Sequence, residues 1–311
     1  MVRMLRRGEA IGAVPARRGP GGDTIDAPRG HRIGEALSAP LGGSRARSGR
    51  HAAGRIGLAL LRAVGVVVVM FVLLQGYSWF RKTYFVPPSS AGYANALDII
   101  DLQRSLGIGV DRVEIPLQQR VIEHQWLIDF FNHYYRQMKI FMFAAAALCV
   151  VLAPGAFWRI ARIFLLATAI AFAMYAIYPL APPRLMQSHG YPFVDTLAVY
   201  AGVQSSSAGA GGANQFAAMP SMHIGWTAIA ALWLAASLPW RRIGAWLGAL
   251  HLILMSFAVV VTGNHYVLDI VAGLMVVGAA LAIDWLVFRR VREPAREPAG
   301  NGLTTASEAR R

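Results

Sequence analysis

The sequence predicts an all-α fold, a polytopic membrane bundle of six helices with interfacial helices in the first outer loop. Of its 311 residues, 56% are hydrophobic and only 15% are charged, and the mean hydropathy is +0.44. This composition lies outside the usual range of soluble domains. Six apolar stretches are long enough, or nearly long enough, to cross a bilayer. They cover residues 56–79, 138–154, 160–180, 221–238, 243–262 and 267–288.

The arginines that flank these stretches predict the topology. They are concentrated before the first stretch, after the sixth, and in the connections that follow the second and fourth stretches. Because cytoplasmic loops carry the excess of Lys and Arg, we expect a multi-pass protein of the plasma membrane with both termini in the cytoplasm. The extracytoplasmic connections are then residues 80–137, 181–220 and the turn 262–264.

Composition divides the chain into four segments. Residues 1–55 and 289–311 are polar and basic, and we expect them to be disordered cytoplasmic tails. Residues 56–137 contain the first span, a retained anchor rather than a signal peptide, and an outer segment. Apolar stripes after Ser89 and Pro116 predict helices there, which either lie in the membrane interface or pack as a cap. We expect residues 138–288 to form the main membrane bundle, with a flexible tether or lid at 202–213.

Titratable side chains begin two of the apolar stretches. His223 follows Pro220 at the start of the fourth stretch, and His265 precedes Asp269 at the start of the sixth. On a helix His265 and Asp269 lie one turn apart on the same face, so the carboxylate can accept a ring N–H. The predicted topology places both histidines on the same side of the membrane. Such an oriented imidazole is a candidate nucleophile or base.

The first turn of the fourth stretch predicts an anion site. A helix that starts at a proline presents its unpaired amides, here those of Ser221, Met222 and His223, to negative charge. Arg184 follows the prolines that end the third stretch and supplies a cation. The anion that we infer is phosphate. Asn264 and Tyr266, which flank His265, are further candidates for substrate binding.

These residues resemble the type-2 phosphatidate phosphatase superfamily, which includes the vanadium haloperoxidases, and within it the inositol-phosphoryl-ceramide-synthase-like branch. The likeness rests on Pro-Ser-Met-His at 220–223 and His-Tyr-Val-Leu-Asp at 265–269. The resemblance implies a six-helix bundle in which His265 attacks phosphorus, Asp269 orients it and His223 protonates the departing oxygen. It also implies that Ser221 and Arg184 hold the phosphate.

Two cations of the family pattern are missing. Ile177 stands where the first motif has lysine, and Val259 stands where the third has arginine. The synthase-like branch tolerates a Pro-x-x-Pro-Pro sequence in place of the first motif and His-Tyr-x-x-Asp in the third. This chain is closer to that branch than to the phosphatases. Candidate replacements in or near the outer segment are Arg136, Lys139 and Arg81.

The sequence therefore predicts a membrane enzyme that cleaves a lipid phosphoester outside the cell, either as a phosphatase or as an inositolphosphotransferase-like phosphotransferase. No cofactor or metal is predicted, because each histidine already has a role. The net charge of +14 is concentrated beside the spans, where lipid headgroups are the nearer partner, so nucleic acid is not expected. The alternatives are a catalytically inactive scaffold and a proton-coupled transporter or channel, in which His251 would extend a His/Asp relay.

Overall fold

The computed structural model describes residues 43–84, 89–201, 215–238 and 240–288. Within them the chain is helical, with no β-strand and one parallel bridge between Leu180 and Ala217. The described residues from Ala52 onward belong to one compact unit. The helices are α1 Gly43–Tyr84, α2 Ser89–Ser105, α3 Glu114–Ile122, α4 Gln125–Arg136, α5 Met138–Leu152, α6 Pro154–Ile177, a 3-10 helix Pro183–His189, α7 Thr196–Tyr200, α8 Met222–Ser237, α9 Arg241–Val261 and α10 Val267–Phe288.

Each of the six predicted apolar stretches is helical. Four helices are long and apolar enough to span a membrane, namely Gly54–Gly76 within α1, and α6, α9 and α10. Helices α4 and α5 meet that standard only as a pair, bent by 48°. Helix α8 has 16 residues, about 24 Å, which is shorter than a hydrocarbon core of roughly 30 Å. The protein is thus an all-α, multi-pass membrane protein, while the count of six crossings stays a prediction.

Helix α8 lies among α5, α6, α9 and α10 and packs closely against two of them. A Cβ at Gly248 of α9 would lie 2.6 Å from the Cβ of Ala231, and one at Gly273 of α10 would lie 2.4 Å from the carbonyl oxygen of Ser221. No real side chain tolerates such contacts. Glycine at these positions therefore allows the backbones to approach, as is usual where helices pack inside a membrane.

An ionic clamp joins α6 to α10 at the ends remote from the predicted site. The Asp284 carboxylate, 3% exposed, accepts hydrogen bonds from Arg159 Nε at 2.9 Å and from Arg162 Nη2 at 3.0 Å. A carboxylate this deeply buried requires such partners, because desolvation of an unpaired charge costs several kcal/mol. The clamp fixes the spacing of the two helices at this end.

The outer segment packs on the bundle as a cap, while its position in the membrane interface stays a prediction. Gln118 of α3 donates to the Val261 carbonyl at the end of α9, and its Oε1 accepts from the Val194 amide at 2.8 Å. Asn132 of α4 donates to the Thr196 carbonyl. Both side chains are buried. The cap is therefore joined by buried polar contacts to the loops that precede α7 and follow α9.

Two boundaries differ from the predicted ones. Helix α1 begins at Gly43, inside the predicted tail, and the helix predicted after Pro116 is broken between Ile122 and Gln125 into α3 and α4. The break occurs where Glu123 and His124 interrupt the apolar stripe with two exposed polar residues. The rest of the N-terminal tail, the tether at 202–213 and the C-terminal tail at 289–311 lie outside the described residues.

Candidate active site

The turn between α9 and α10 positions His265. Gly263 has a φ of +68°, a conformation that favours glycine, and its carbonyl accepts a hydrogen bond from the Arg184 amide at 2.8 Å. The amides of Asn264 and His265 both donate to the Val259 carbonyl at 3.1 Å. His265 consequently lies just before α10 rather than on it, because the helix begins at Val267.

The His265 ring is oriented by two acceptors. Its Nδ1 lies 2.9 Å from the Ala218 carbonyl oxygen and 3.3 Å from Asp269 Oδ2. A carbonyl oxygen can only accept, so in the neutral ring the proton is on Nδ1 and the lone pair is on Nε2. Asp269 is held in turn, because Oδ2 also accepts the Tyr266 amide at 2.8 Å. The contacts at Nδ1 therefore make Nε2 the nitrogen that is available to act as a nucleophile.

Two side chains of the cap accept hydrogen bonds from backbone amides in the first turn of α10. The Val267 amide donates to Glu114 Oε1 at 3.1 Å, and the Leu268 amide donates to Gln103 Oε1 at 3.2 Å. Gln103 Nε2 also donates to Glu114 Oε1 at 2.6 Å, and both side chains are fully buried. First-turn amides of a helix lack partners of their own, so Gln103 and Glu114 fix the start of the helix that carries Asp269.

His223 meets His265 across the site. Their ring centroids are 5.7 Å apart, with the planes inclined by 58°. On its other side His223 is stacked on Tyr135 of α4, with centroids 4.2 Å apart and planes inclined by 21°. The two imidazoles that the sequence placed at separate helix starts are thus neighbours, close enough to act on one phosphorus atom.

Both rings line a cavity of about 250 Å³. Its walls come from α1, α4, α5, α6 and α8, together with the loops that carry Arg184 and His265. Among the predicted site residues it is lined by Arg184, Met222, His223, Asn264 and His265, and further lining residues are Leu74, Ser78, Tyr135, Met138, Lys139, Tyr175, Pro182, Gln215, Ala217, Ala218 and Trp226. We call this cavity the catalytic pocket.

Arg184 is held at the pocket by an amide and a carboxylate. Its Nη1 donates to Asn264 Oδ1 at 2.8 Å, and Nε lies 3.6 Å from Asp195 Oδ2 in an ion pair. Asn264 Nδ2 donates to Thr262 Oγ1 at 2.8 Å, which fixes the orientation of its amide group. Asn264 therefore orients the Arg184 guanidinium, whose remaining donors can meet an anion.

The N-terminus of α8 borders the pocket without a side-chain cap among the described residues. Met222 and His223, its first two residues, line the pocket. Ser221 does not: its side chain is fully buried, its amide donates to the Asp269 carbonyl at 3.0 Å, and its Oγ has no hydrogen-bond partner among the described residues. The positive end of the α8 dipole thus faces the pocket, whereas that of α10 is occupied by Glu114 and Asp269.

Tyr266, the remaining candidate, is also directed away from the pocket. It is fully buried beside Phe193, with ring centroids 6.5 Å apart. Burial raises the pKa of its phenol well above the usual value, and the nearby Asp269 and Glu114 raise it further. Tyr266 therefore stays neutral, and its binding role remains a prediction without a contact to the pocket.

The two positions where the family pattern has cations are apolar and lie off the pocket. Ile177 is exposed on the far side of α6, and Val259 is buried in the bundle core. Of the candidate replacements, Lys139 lines the pocket and Arg136 does not, while the side chain of Arg81 lies outside the described residues. Lys139 is therefore the second cation that the described residues bring to this cavity.

His251, the residue that a proton relay would add, lies elsewhere. It contacts Tyr134 through Nδ1 and lines a separate apolar cavity between α5, α8 and α9. The described residues therefore do not extend the His223–His265 pair into the bundle. His223, His265 and Asp269 share one end of the bundle, and such a cluster is the arrangement of a reaction site rather than of a conduction path.

Several residues at the site had no signal in the sequence. Tyr175 and Trp226 line the pocket but read as ordinary aromatic residues of apolar helices. Glu114 offered a weak signal, because Glu114, Gln118 and Val121 share one face of α3 at helical spacing. Polar residues on the buried face of an amphipathic helix indicate specific partners.

Comparison with known proteins agrees with this geometry. A sequence model of the PAP2 superfamily matches residues 97–283, a range that contains both histidines, Asp269 and Arg184. A phosphoinositol dihydroceramide synthase of Bacteroides thetaiotaomicron is 24% identical over 247 residues, which cover 73% of this chain and 77% of that protein. No solved structure matches. The chain belongs to the PAP2 superfamily and is a membrane enzyme that acts on a lipid phosphoester.

Proposed function

We propose that this enzyme cleaves its lipid phosphoester through a phosphohistidine intermediate on His265, at the extracytoplasmic face, and passes the phosphoryl-headgroup to an alcohol. The observation that carries the proposal is the pairing of two imidazoles 5.7 Å apart on one pocket, with Nδ1 of His265 bound to acceptors. One ring is then free to attack while the other transfers protons, which is the division of labour that nucleophilic catalysis needs.

In the first half-reaction, Nε2 of His265 attacks phosphorus and a P–N bond forms as the P–O bond to the lipid breaks. The lipid oxygen leaves as an alcohol, because protonated His223 supplies the proton. Asp269 and the Ala218 carbonyl, both at Nδ1, stabilise the positive charge that develops on the His265 ring. Arg184, Lys139 and the uncapped amides of α8 bind the phosphoryl oxygens.

In the second half-reaction, the now neutral His223 removes a proton from an incoming hydroxyl group. The hydroxyl oxygen bonds to phosphorus, the P–N bond breaks, and His265 returns to its starting form. The acceptor is water in a phosphatase and a lipid alcohol in a phosphotransferase. The similarity to a phosphoinositol dihydroceramide synthase favours an alcohol.

The extracytoplasmic face is inferred from charge. Arg159 and Arg162 lie near the start of α6, and Arg241 and Arg242 lie at the start of α9. The pocket is at the other ends of these two helices. Since Lys and Arg are retained on the cytoplasmic side, the opposite ends of these helices, where the pocket is located, face outward. Cysteine labelling from outside intact cells tests this orientation: the exposed His189→Cys should react and Arg242→Cys should not.

Trapping the intermediate tests the mechanism. We would incubate detergent-solubilised protein with phosphatidylinositol labelled at phosphorus, and measure acid-labile label on the protein together with released diacylglycerol. The wild-type protein should carry label that an added alcohol removes, whereas His265→Ala should carry none and release no diacylglycerol. His223→Ala should gain label slowly, because the first half-reaction lacks its acid, and should lose it slowly, because the second lacks its base. His124→Ala, an exposed histidine away from the pocket, is the matched control. Label that persists in His265→Ala would overturn the assignment.

A further inference from the structure

Helix α1 is the span that the family match leaves unexplained. The match begins at residue 97, after α1 has ended. Only 6% of the 18-residue window that defines its span is buried, and Met70 and Leu74 are its buried apolar residues among those described. Yet Leu74 and Ser78 line the catalytic pocket. Helix α1 thus touches the bundle lightly and does so at the site.

A long apolar groove separates the rest of α1 from the bundle. It has a volume of about 680 Å³, and its lining comes from α1, α5, α6 and α8. Typical lining residues are Val69 and Leu73 of α1, Phe157 and Phe164 of α6, and Trp233 of α8, while Arg62 is the charged residue at its far end. Apart from Arg62, such a surface suits hydrocarbon rather than a polar headgroup.

The groove lies beside the catalytic pocket. All four helices that line the groove also contribute to the pocket, and on α1 the two linings adjoin, since Leu73 lines the groove and Leu74 lines the pocket. On α8 the groove residue Trp233 is two turns from the pocket residue Trp226, and Phe164 packs on both rings, with centroids 6.1 and 5.9 Å away. The groove is therefore an apolar cavity next to the site where the phosphate would lie.

We propose that this groove holds the hydrocarbon tail of the lipid whose phosphate reacts at His265. The inference rests on the proposed function and adds the way in which the lipid is recognised. Arg62 and Ser78 are 16 residues apart on α1, or about 24 Å, which is most of the roughly 30 Å hydrocarbon thickness. The site therefore selects a lipid with a long tail, and α1 is a wall of the tail site.

Filling the groove tests the proposal. A Cβ at Gly65, which lines the groove, meets no atom within 4 Å, so Gly65→Leu adds a side chain in open space without disturbing the bundle. Gly76 also has open space at Cβ and lines neither cavity, so Gly76→Leu is the matched control. Kinetics would be measured with the dioleoyl and dibutanoyl forms of phosphatidylinositol.

We expect Gly65→Leu to raise the KM for the dioleoyl lipid about tenfold, since a tenfold change corresponds to about 1.4 kcal/mol, roughly two displaced methylene groups. The kcat/KM for the dibutanoyl lipid should stay at the wild-type value, because a four-carbon tail does not reach Gly65. Gly76→Leu should match the wild type with both substrates. Equal effects on both substrates, or none with either, would overturn the proposal.

A second measurement separates the groove from the chemistry. A phospholipid with a diazirine near the end of its tail would be photolysed with the His265→Ala protein, and the labelled peptides would be mapped. We expect label on Val69 and Phe164 rather than on Phe71, which faces away from the bundle. Label spread evenly around α1 would mean that only bulk lipid fills the groove. Groove labelling without turnover in the wild type would refute the proposed reaction and leave the tail site standing.

Discussion

Glu114 is the residue whose substitution most directly tests how the cap supports the site. In Glu114→Ala the Val267 amide loses its acceptor, and Gln103 Nε2 loses one of its two. A buried donor left without a partner costs about 1–3 kcal/mol, and the lost charge at a helix N-terminus costs about another 0.3–1 kcal/mol. The variant no longer incurs the desolvation cost of a buried carboxylate, which offsets part of this loss of stability. We therefore expect a net loss of stability of about 1–3 kcal/mol.

The activity should fall further than the stability. The Glu114–Val267 contact fixes the first turn of α10, and Asp269 in that turn orients His265. Because a misplacement of about 1 Å at a reacting group can cost roughly 100-fold in rate, we expect kcat to fall about 10- to 100-fold with little change in KM. Glu114→Gln retains an acceptor oxygen and should recover most of the rate.

The assay is release of diacylglycerol from phosphatidylinositol in detergent, with thermal unfolding measured on the same samples. Glu123→Ala is the control, because Glu123 is exposed in the same segment and should behave as the wild type. The reasoning would be refuted if Glu114→Ala lost stability but kept its kcat within about twofold, since the cap would then stabilise the fold without positioning the site.

Three further substitutions report on the pocket itself. Asp269→Asn should lower kcat by about 10²–10⁴-fold, because the amide cannot stabilise the charged His265 ring, and a near-normal rate would remove Asp269 from the mechanism. Tyr135→Ala should lower kcat about threefold to tenfold, because it removes the ring that is stacked on His223, while Tyr135→Phe should keep the wild-type rate. An equal loss of kcat in both variants would mean that the hydroxyl group matters rather than the stacked ring. Lys139→Met should raise KM about tenfold through loss of a phosphate contact, whereas Arg136→Met should leave KM unchanged because Arg136 does not line the pocket. A similar rise in KM for both variants would mean that the overall surface charge, and not a contact in the pocket, attracts the substrate.

Much of this architecture could be predicted from the sequence because membrane helices have a strong local signal. The apolar stretches, the turn at Gly263 and the pairing of His265 with Asp269 all follow from residue type and spacing over a few positions. Counting the spans between His223 and His265 predicted that both lie on the same side of the membrane, and the family resemblance implied that they act together. These features need no knowledge of how distant segments pack.

The contacts that support the site could not be predicted in this way. Glu114 and Val267 are separated by 153 residues, and Gln103 and Leu268 by 165, so no local pattern connects them. Ser221 read as an anion ligand because its motif begins a helix, but tight packing against Gly273 buries it. Such outcomes depend on how closely two backbones approach, which residue spacing alone does not encode.

The clamp at Asp284 has a mechanical consequence. Helices α6 and α10 are joined by charge at the end remote from the pocket, and no ion pair between these two helices occurs nearer to it among the described residues. The other end of α10 is held by Glu114 and Gln103, which accept its first-turn amides. The helix that carries Asp269 is therefore anchored at both ends, and its position beside the pocket depends on contacts about its full length apart.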